Sequence, residues 1–220
     1  MITNAVLFDA YGTLLDVSGP GRRLTEKYGP VADRVGLRVR ALQIAYTWHM
    51  SLMGKYQGFF TLTRHALDVA MREENWRDTA FVDDFMDGYE KIEAFPEVGE
   101  VLRQLRALGL QPVILSNGEK KYLERAFAHA QLLELLADII TVEEVKIFKP
   151  SMAVYQHAKE QVLARGFVSS NPWDVTGAAT FGFQTYWLNR AGGVFDGLAD
   201  ASQFQTVRSL QDLVFHYQNS

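Results

Sequence analysis

The stretch Ala5-Val6-Leu7-Phe8-Asp9-Ala10-Tyr11-Gly12-Thr13 limits what this chain can become. Its four leading apolar residues suit a strand buried on both faces, and the run stops at a carboxylate. Aspartate is disfavoured inside strands, so Asp9 belongs at a strand's carboxyl end. Open α/β sheets gather their ligand sites along that edge. Gly12 permits the sharp turn that must follow. A helix-capping role for Asp9 is the competing explanation.

The chain then changes character twice. Gly19-Pro20-Gly21 reads as a break between units. Helical spacing follows from Val31 to about Gly54, where Arg40, Ile44, Trp48 and Leu52 recur at every fourth position and share one face. An arginine in such a stripe either snorkels to the surface or points a cation into a pocket. Gly54 to Phe60 reads as a loop with an aromatic tip, followed by helices over about 62–74 and 81–92. No strand is predicted between residues 17 and 93.

From Phe95-Pro96 onward strands and helices alternate. A helix over 98–108 stops at Gly109, and Leu110–Leu115 is a strand ending at Ser116-Asn117-Gly118. A helix over 120–129 and a strand over 138–142 come next. Lys149-Pro150 is expected to open a helix, with Pro150 in the tolerant first turn. Phe167–Asn171 and Gln184–Leu188 are strands, and 210–217 is a closing helix. Alternation of this kind makes a parallel sheet with right-handed crossovers. The expected fold is therefore α/β, with a Rossmann-like parallel core at 1–16 and 94–220 and an inserted helical cap at 17–93.

Composition removes several classes of function. The 220 residues carry a net charge of −4 and no cysteine, so there is no basic footprint for nucleic acid, no disulfide and no thiolate chemistry. No apolar run reaches the ~20 residues of a membrane span. The N-terminus lacks a secretory pattern, and a cytoplasmic location is expected. The five histidines are scattered and show no metal-ligand spacing.

Several strands end in polar residues: Asp9, Ser116-Asn117 and Ser169-Ser170-Asn171. In a parallel sheet these tips share one edge, within reach of Lys149. Those four segments, Phe8–Asp16, Leu115–Gly118, Lys149-Pro150 and Ser169–Asp174, resemble the ordered motifs of the haloacid dehalogenase superfamily. Arg40 ahead of Tyr46-Thr47-Trp48, Tyr155 after Lys149-Pro150, and Trp187-Leu188-Asn189-Arg190 narrow the likeness to the type II L-2-haloacid dehalogenases. A magnesium-dependent phosphatase of the same superfamily is the alternative. There, an acid two residues beyond the nucleophile protonates the leaving group; Tyr11, with a reference pKa of about 10, is a poor substitute. Ser169, Asn171 and Asp174 also make a carboxylate-poor cage for a hard cation.

The resemblance implies hydrolysis of short L-2-haloalkanoic acids to D-2-hydroxy acids through an ester on Asp9, with neither metal nor organic cofactor. It places Thr13 and Lys149 against the Asp9 carboxylate, and Asp174 on the hydrolytic water with Ser169 and Asn171 nearby. Tyr155 is expected to position Lys149 or Asp9. Ser116 and the Ala10 and Tyr11 amides would hold the substrate carboxylate. Arg40, Asn117 and Trp173 would cradle the halide, while Tyr11, Ile44, Phe59 and Trp173 form an apolar wall. A homodimer is implied as well, with Trp76 and Tyr56 as exposed aromatics for its interface. Two departures stand out. Val39-Arg40-Ala41 replaces Trp-Arg-Gln, removing a glutamine amide near the pocket, and Pro172 is expected to stiffen the loop before Trp173.

Overall fold

The computed structural model describes residues 1–219. Six parallel strands form one sheet: β1 (Ile2–Phe8), β2 (Gln111–Ser116), β3 (Asp138–Thr141), β4 (Val162–Ser169), β5 (Thr185–Leu188) and β6 (Gln205–Val207). Their spatial order is β3-β2-β1-β4-β5-β6, so the chain reverses its direction of travel across the sheet between β1 and β4. Ala5, Val6, Leu7 and Phe8 are all fully buried. Successive strand residues face opposite sides, so this burial requires cover on both faces of the sheet. Phe8 is level with Ile114 on one side and Val168 on the other. That register sets Asp9, Leu115 and Ser169 side by side on the carboxyl edge, at the switch point where such sheets hold ligands.

Among the helices, α5 (Val98–Ala107) packs beside α9 (Leu210–Gln218), and α7 (Met152–Gln161) packs beside α8 (Pro172–Phe181). α6 (Lys120–His129) follows β2. Between β1 and α5 lie α1 (Ser18–Tyr28), α2 (Pro30–Leu52), α3 (Phe59–Glu73) and α4 (Thr79–Glu90). These four share an apolar cluster of their own that includes Leu24, Val35, Val39, Leu67, Phe81 and Phe85. A larger cluster fills the sheet region.

Several local expectations are corrected. Gly19-Pro20-Gly21 is no break but the first turn of α1, where the missing proline N–H costs no helical hydrogen bond. Lys149-Pro150 does not open a helix: the peptide is cis, and α7 begins at Met152 after Ser151. Pro172 does open a helix, α8, so it belongs to a helix rather than a stiffened loop. β4 begins five residues before the expected Phe167, and β6 was not expected. The stripe Arg40-Ile44-Trp48-Leu52 is not the core face of α2; Leu52 is 86% exposed. The buried face is Ala32, Val35, Val39, Gln43 and Thr47. Trp76 and Tyr56 are half-buried rather than exposed, Trp76 packing on Tyr28 and Phe81 and Tyr56 stacking on Phe148.

Candidate active site

After β1 the chain turns tightly, with the N–H groups of Thr13, Leu14 and Leu15 all donating to the Ala10 carbonyl. Gly12 sits at φ 89°, a conformation that strongly favours glycine. The turn folds Thr13 back onto Asp9, and its hydroxyl donates to Asp9 Oδ2 at 2.9 Å. Asn171 Nδ2 donates to the same oxygen at 2.8 Å. Lys149 Nζ reaches the other oxygen, Oδ1, at 2.9 Å. Both Asp9 oxygens are thus fixed while the carboxylate remains 5% exposed, facing a cavity.

Behind Asp9 the groups are fully buried. Lys149 is fully buried, and its ammonium also donates to Asp174 Oδ2 at 2.6 Å and to the Leu115 carbonyl at 3.0 Å. Its three N–H bonds are therefore all taken. Asp174, in the first turn of α8, accepts from the Tyr155 hydroxyl at 2.8 Å on its other oxygen. Burial works against the lysine's charge, but Asp174 and Asp9 outweigh it and hold its pKa above the usual value. Asp174 is pushed up to about 6, chiefly by burial, with Asp9 adding to the rise and Lys149 opposing it. One cation shared by two carboxylates leaves a surplus negative charge in a dry site, which favours a proton there. Burial and Asp174 raise the Tyr155 hydroxyl well above its usual range, so it stays a donor.

In front of Asp9 lies a cavity lined by Asp9, Tyr11, Arg40, Ile44, Phe59, Ser116, Asn117, Asn171 and Trp173. It offers about 10 Å³ for the centre of a water-sized molecule, room for roughly one water. Tyr11 stacks on Phe59 at 5.9 Å between centroids and meets Tyr89 edge-on. Burial above all, then Tyr89 and Glu119, raise the Tyr11 hydroxyl further beyond reach as an acid. Arg40 comes from α2, its Nη2 3.5 Å from Asn171 Oδ1. Asn117 Oδ1 accepts from the Lys149 N–H at 2.9 Å, leaving its NH2 as the group available to the cavity. Ser116 Oγ accepts from the Gly118 N–H at 3.1 Å, so its own O–H is free to donate forward. The turn's hydrogen bonds start from Gly12 onward, which leaves the Ala10 and Tyr11 N–H groups outside the pattern.

All the predicted side chains except Ser169 either line the cavity or join the network behind Asp9. Ala10 contributes backbone. Ser169 Oγ instead accepts from the Asn171 N–H at 3.1 Å and shapes the turn into α8. Its neighbour Ser170, which was not singled out, lies 3.1 Å from the Thr13 hydroxyl and gives it a backbone N–H at 2.9 Å. Arg190 holds the Thr13 carbonyl at 3.0 Å and pairs with Glu97, which gives the Trp187–Arg190 motif a physical role. Gln43 was missed. It is fully buried, accepts from Arg40 Nη1 at 2.9 Å and donates to Thr63 at 2.6 Å. Its signal was a polar residue on the buried face of α2. Ala41 lies on the exposed face, so the amide that serves Arg40 stands two positions later. Among the described residues no group of three or more His, Asp or Glu side chains is placed to hold a metal ion.

A sheet of this order with this edge defines a class. Residues 3–182 match the haloacid dehalogenase-like hydrolase family, and the chain belongs to it. Among its relatives, (S)-2-haloacid dehalogenase 1 of Pseudomonas sp. (strain CBS-3) is 39% identical over 191 residues, covering 84% of each chain. The L-2-haloacid dehalogenase of Xanthobacter autotrophicus superposes with a TM-score of 0.85 at 30% identity, covering 99% of both chains. A second structure of that enzyme, with chloropropionic acid covalently bound, gives a TM-score of 0.83 at 29% identity over the same 99% of each chain.

Proposed function

We propose that this hydrolase cleaves the carbon–halogen bond of short L-2-haloalkanoic acids and releases D-2-hydroxy acids. The observation that carries the reading is a buried carboxylate held at both oxygens by Lys149, Thr13 and Asn171, facing a small apolar cavity that contains Arg40. The relatives that are haloacid dehalogenases, one with chloropropionic acid covalently bound, point the same way.

A carboxylate is a weak nucleophile in water, and exclusion of water by Tyr11, Ile44, Phe59 and Trp173 removes the hydration that quenches it. Lys149 Nζ sets a positive charge 2.9 Å from one of the carboxylate oxygens. The substrate carboxylate takes the Ser116 O–H and the Ala10 and Tyr11 N–H groups. An Asp9 oxygen then forms a bond to C2 as the C2–halogen bond breaks, with inversion. The halide departs toward Arg40, Asn117 and the edge of Trp173. A desolvated anion without donors is expensive, and these groups supply them.

Water next adds to the carboxyl carbon of the Asp9 ester and gives its proton to Asp174. Collapse breaks the bond between that carbon and the oxygen now on C2, Asp174 returns the proton to that oxygen, and the hydroxy acid leaves. Asp174, pushed up to about 6, is suited to a base working near neutrality. Lys149, 2.9 Å from Asp9, steadies the oxyanion.

Residues 1–16 and 94–220 act as the catalytic core in this scheme, and 17–93 as a cap that supplies Arg40, Ile44 and Phe59. The assembly is a homodimer and the site of action the cytoplasm. No described helix is long and apolar enough to cross a membrane.

Single turnover in ¹⁸O-water with enzyme in excess tests the scheme. Label is expected in the Asp9 carboxylate by mass spectrometry of its peptide. Label found only in the product hydroxyl would exclude the ester.

A further inference from the structure

α3 begins without a cap of its own. Its preceding residue is Gly58, which has no side chain to accept the first N–H groups. A carboxylate from elsewhere does so: Glu119, at the start of α6, accepts from the Phe60 N–H through Oε2 at 3.0 Å. Glu119 is 59 residues away in sequence and only 9% exposed, a costly place for a carboxylate without a partner. The positive end of the helix dipole is a suitable one.

Gly58 fits this carboxylate sterically. Its φ of −57° and ψ of 144° are open to any L residue, so the backbone does not require glycine. A Cβ there would collide with Glu119 Oε1 and lie 2.9 Å from its Cδ. Any larger residue there would push the Glu119 carboxylate aside. Beside the carboxylate, the Phe60 ring stacks on Tyr122 of α6 at 4.0 Å and 15°.

Each end of this clasp has a near neighbour in the lining of the cavity. Phe59, next to Phe60, forms part of its wall and stacks on Tyr11, and Asn117, two residues before Glu119, lines it too. We propose that Glu119 is a positioning residue for the reaction, which through the N-terminus of α3 fixes how far Phe59 stands from Asp9 and so sets the size of acid accepted. This rests on the dehalogenase reading. A shift of ~1 Å in such a wall is enough to misalign a displacement by up to ~100-fold in rate.

The test compares halide release from 2-chloropropanoate and 2-chlorobutanoate, with hydrogen exchange at the Phe60 amide measured on the unliganded protein. Glu119→Ala is expected to lower kcat/KM for 2-chloropropanoate about tenfold. The ratio of the two acids shifts toward 2-chlorobutanoate, and Phe60 exchange quickens. Glu119→Gln keeps an acceptor oxygen and is expected to restore the wild-type ratio. Gly58→Ala reproduces the Glu119→Ala signature in the wild-type background and adds nothing in the Glu119→Ala background.

An unchanged substrate ratio in Glu119→Ala, or equal damage from Gly58→Ala in both backgrounds, overturns the assignment. If the wild type released halide from neither acid, the dehalogenase reading would fall. Phe60 exchange would still decide whether Glu119 holds α3.

Discussion

The two sides of Asp9 are built on opposite plans. Behind it, Lys149, Asp174 and Tyr155 are fully buried and bonded to one another at 2.6 and 2.8 Å, with no room for alternatives. In front, Arg40, Ile44, Phe59 and Trp173 are mostly apolar, and the two helices that supply the first three lie in the helical stretch between β1 and α5. The rear fixes the orientation of the nucleophile and the cation beside it. The front fixes what can approach it. Changes behind Asp9 should therefore damage every substrate alike, and changes in front should discriminate among them.

Lys149→Met is the strongest way to break the rear. It leaves two carboxylates buried without their cation, which typically costs about 3–5 kcal/mol. Halide release should fall at least ~1000-fold, since removal of a charge partner from a buried nucleophile cripples it. Chemical denaturation and halide assays check both; a folded variant of normal stability would mean that the pair is not what holds the site.

Asp174→Asn keeps the shape but removes the base, and should lower turnover by about 100- to 10,000-fold. Its signature is accumulation of the Asp9 ester, detectable as added mass after acid quench. Loss of turnover without ester would move Asp174 to the first step.

The same residue predicts a pH dependence. With Asp174 pushed up to about 6 by burial, turnover should fall on the acid side of that value, tenfold per unit once well below it. Stability moves the other way for this group. Between about pH 4 and 6 the folded chain holds a proton that the unfolded chain has released, so its contribution rises as pH falls through that window. Lys149, raised in the folded state, contributes stability that persists at neutral pH and is lost only as the solution rises through its own pKa. Steady-state profiles and thermal melts over pH 4–8 separate the two trends.

The smallest expected effect belongs to the front. Gln43→Met frees the Arg40 guanidinium from its support and leaves the Thr63 hydroxyl bonded only to the Phe59 carbonyl. Turnover should drop about tenfold through misplacement, more for chloride than for the more polarisable bromide. An equal loss for both leaving groups would show that Arg40 does not face the halide.

What could be read in advance followed chain chemistry. A short apolar run ending in Asp9, and Gly12 beyond it, forced a strand tip and a tight turn because each residue's backbone preference is local. Errors arose where local preference was ambiguous. α2 has apolar residues on more than one face, so its stripes gave no unique phase, and only packing against α3 chose Val35, Val39 and Gln43 for the interior. The expectations for two prolines, a helix start at Pro150 and a stiffened loop at Pro172, are both displaced: Pro172 opens α8 and Pro150 lies before α7. β6 spans only Gln205–Val207, too short to show a pattern.

The sequence by itself determined which reactive groups exist, in what order, and that Asp9, Ser116 and Ser169 end strands of one sheet. It determined nothing about who bonds to whom. Lys149 meets Asp9 across 140 residues and Asp174 across 25, and Arg40 meets Asn171 across 131. Such pairings depend on register and on where the inserted helices settle. Hydrogen bonds are selective only within about 3 Å, a distance that chain order does not encode. The tertiary structure alone made Asp174 a buried partner, Gln43 the support of Arg40 and Glu119 the cap of a helix it does not belong to.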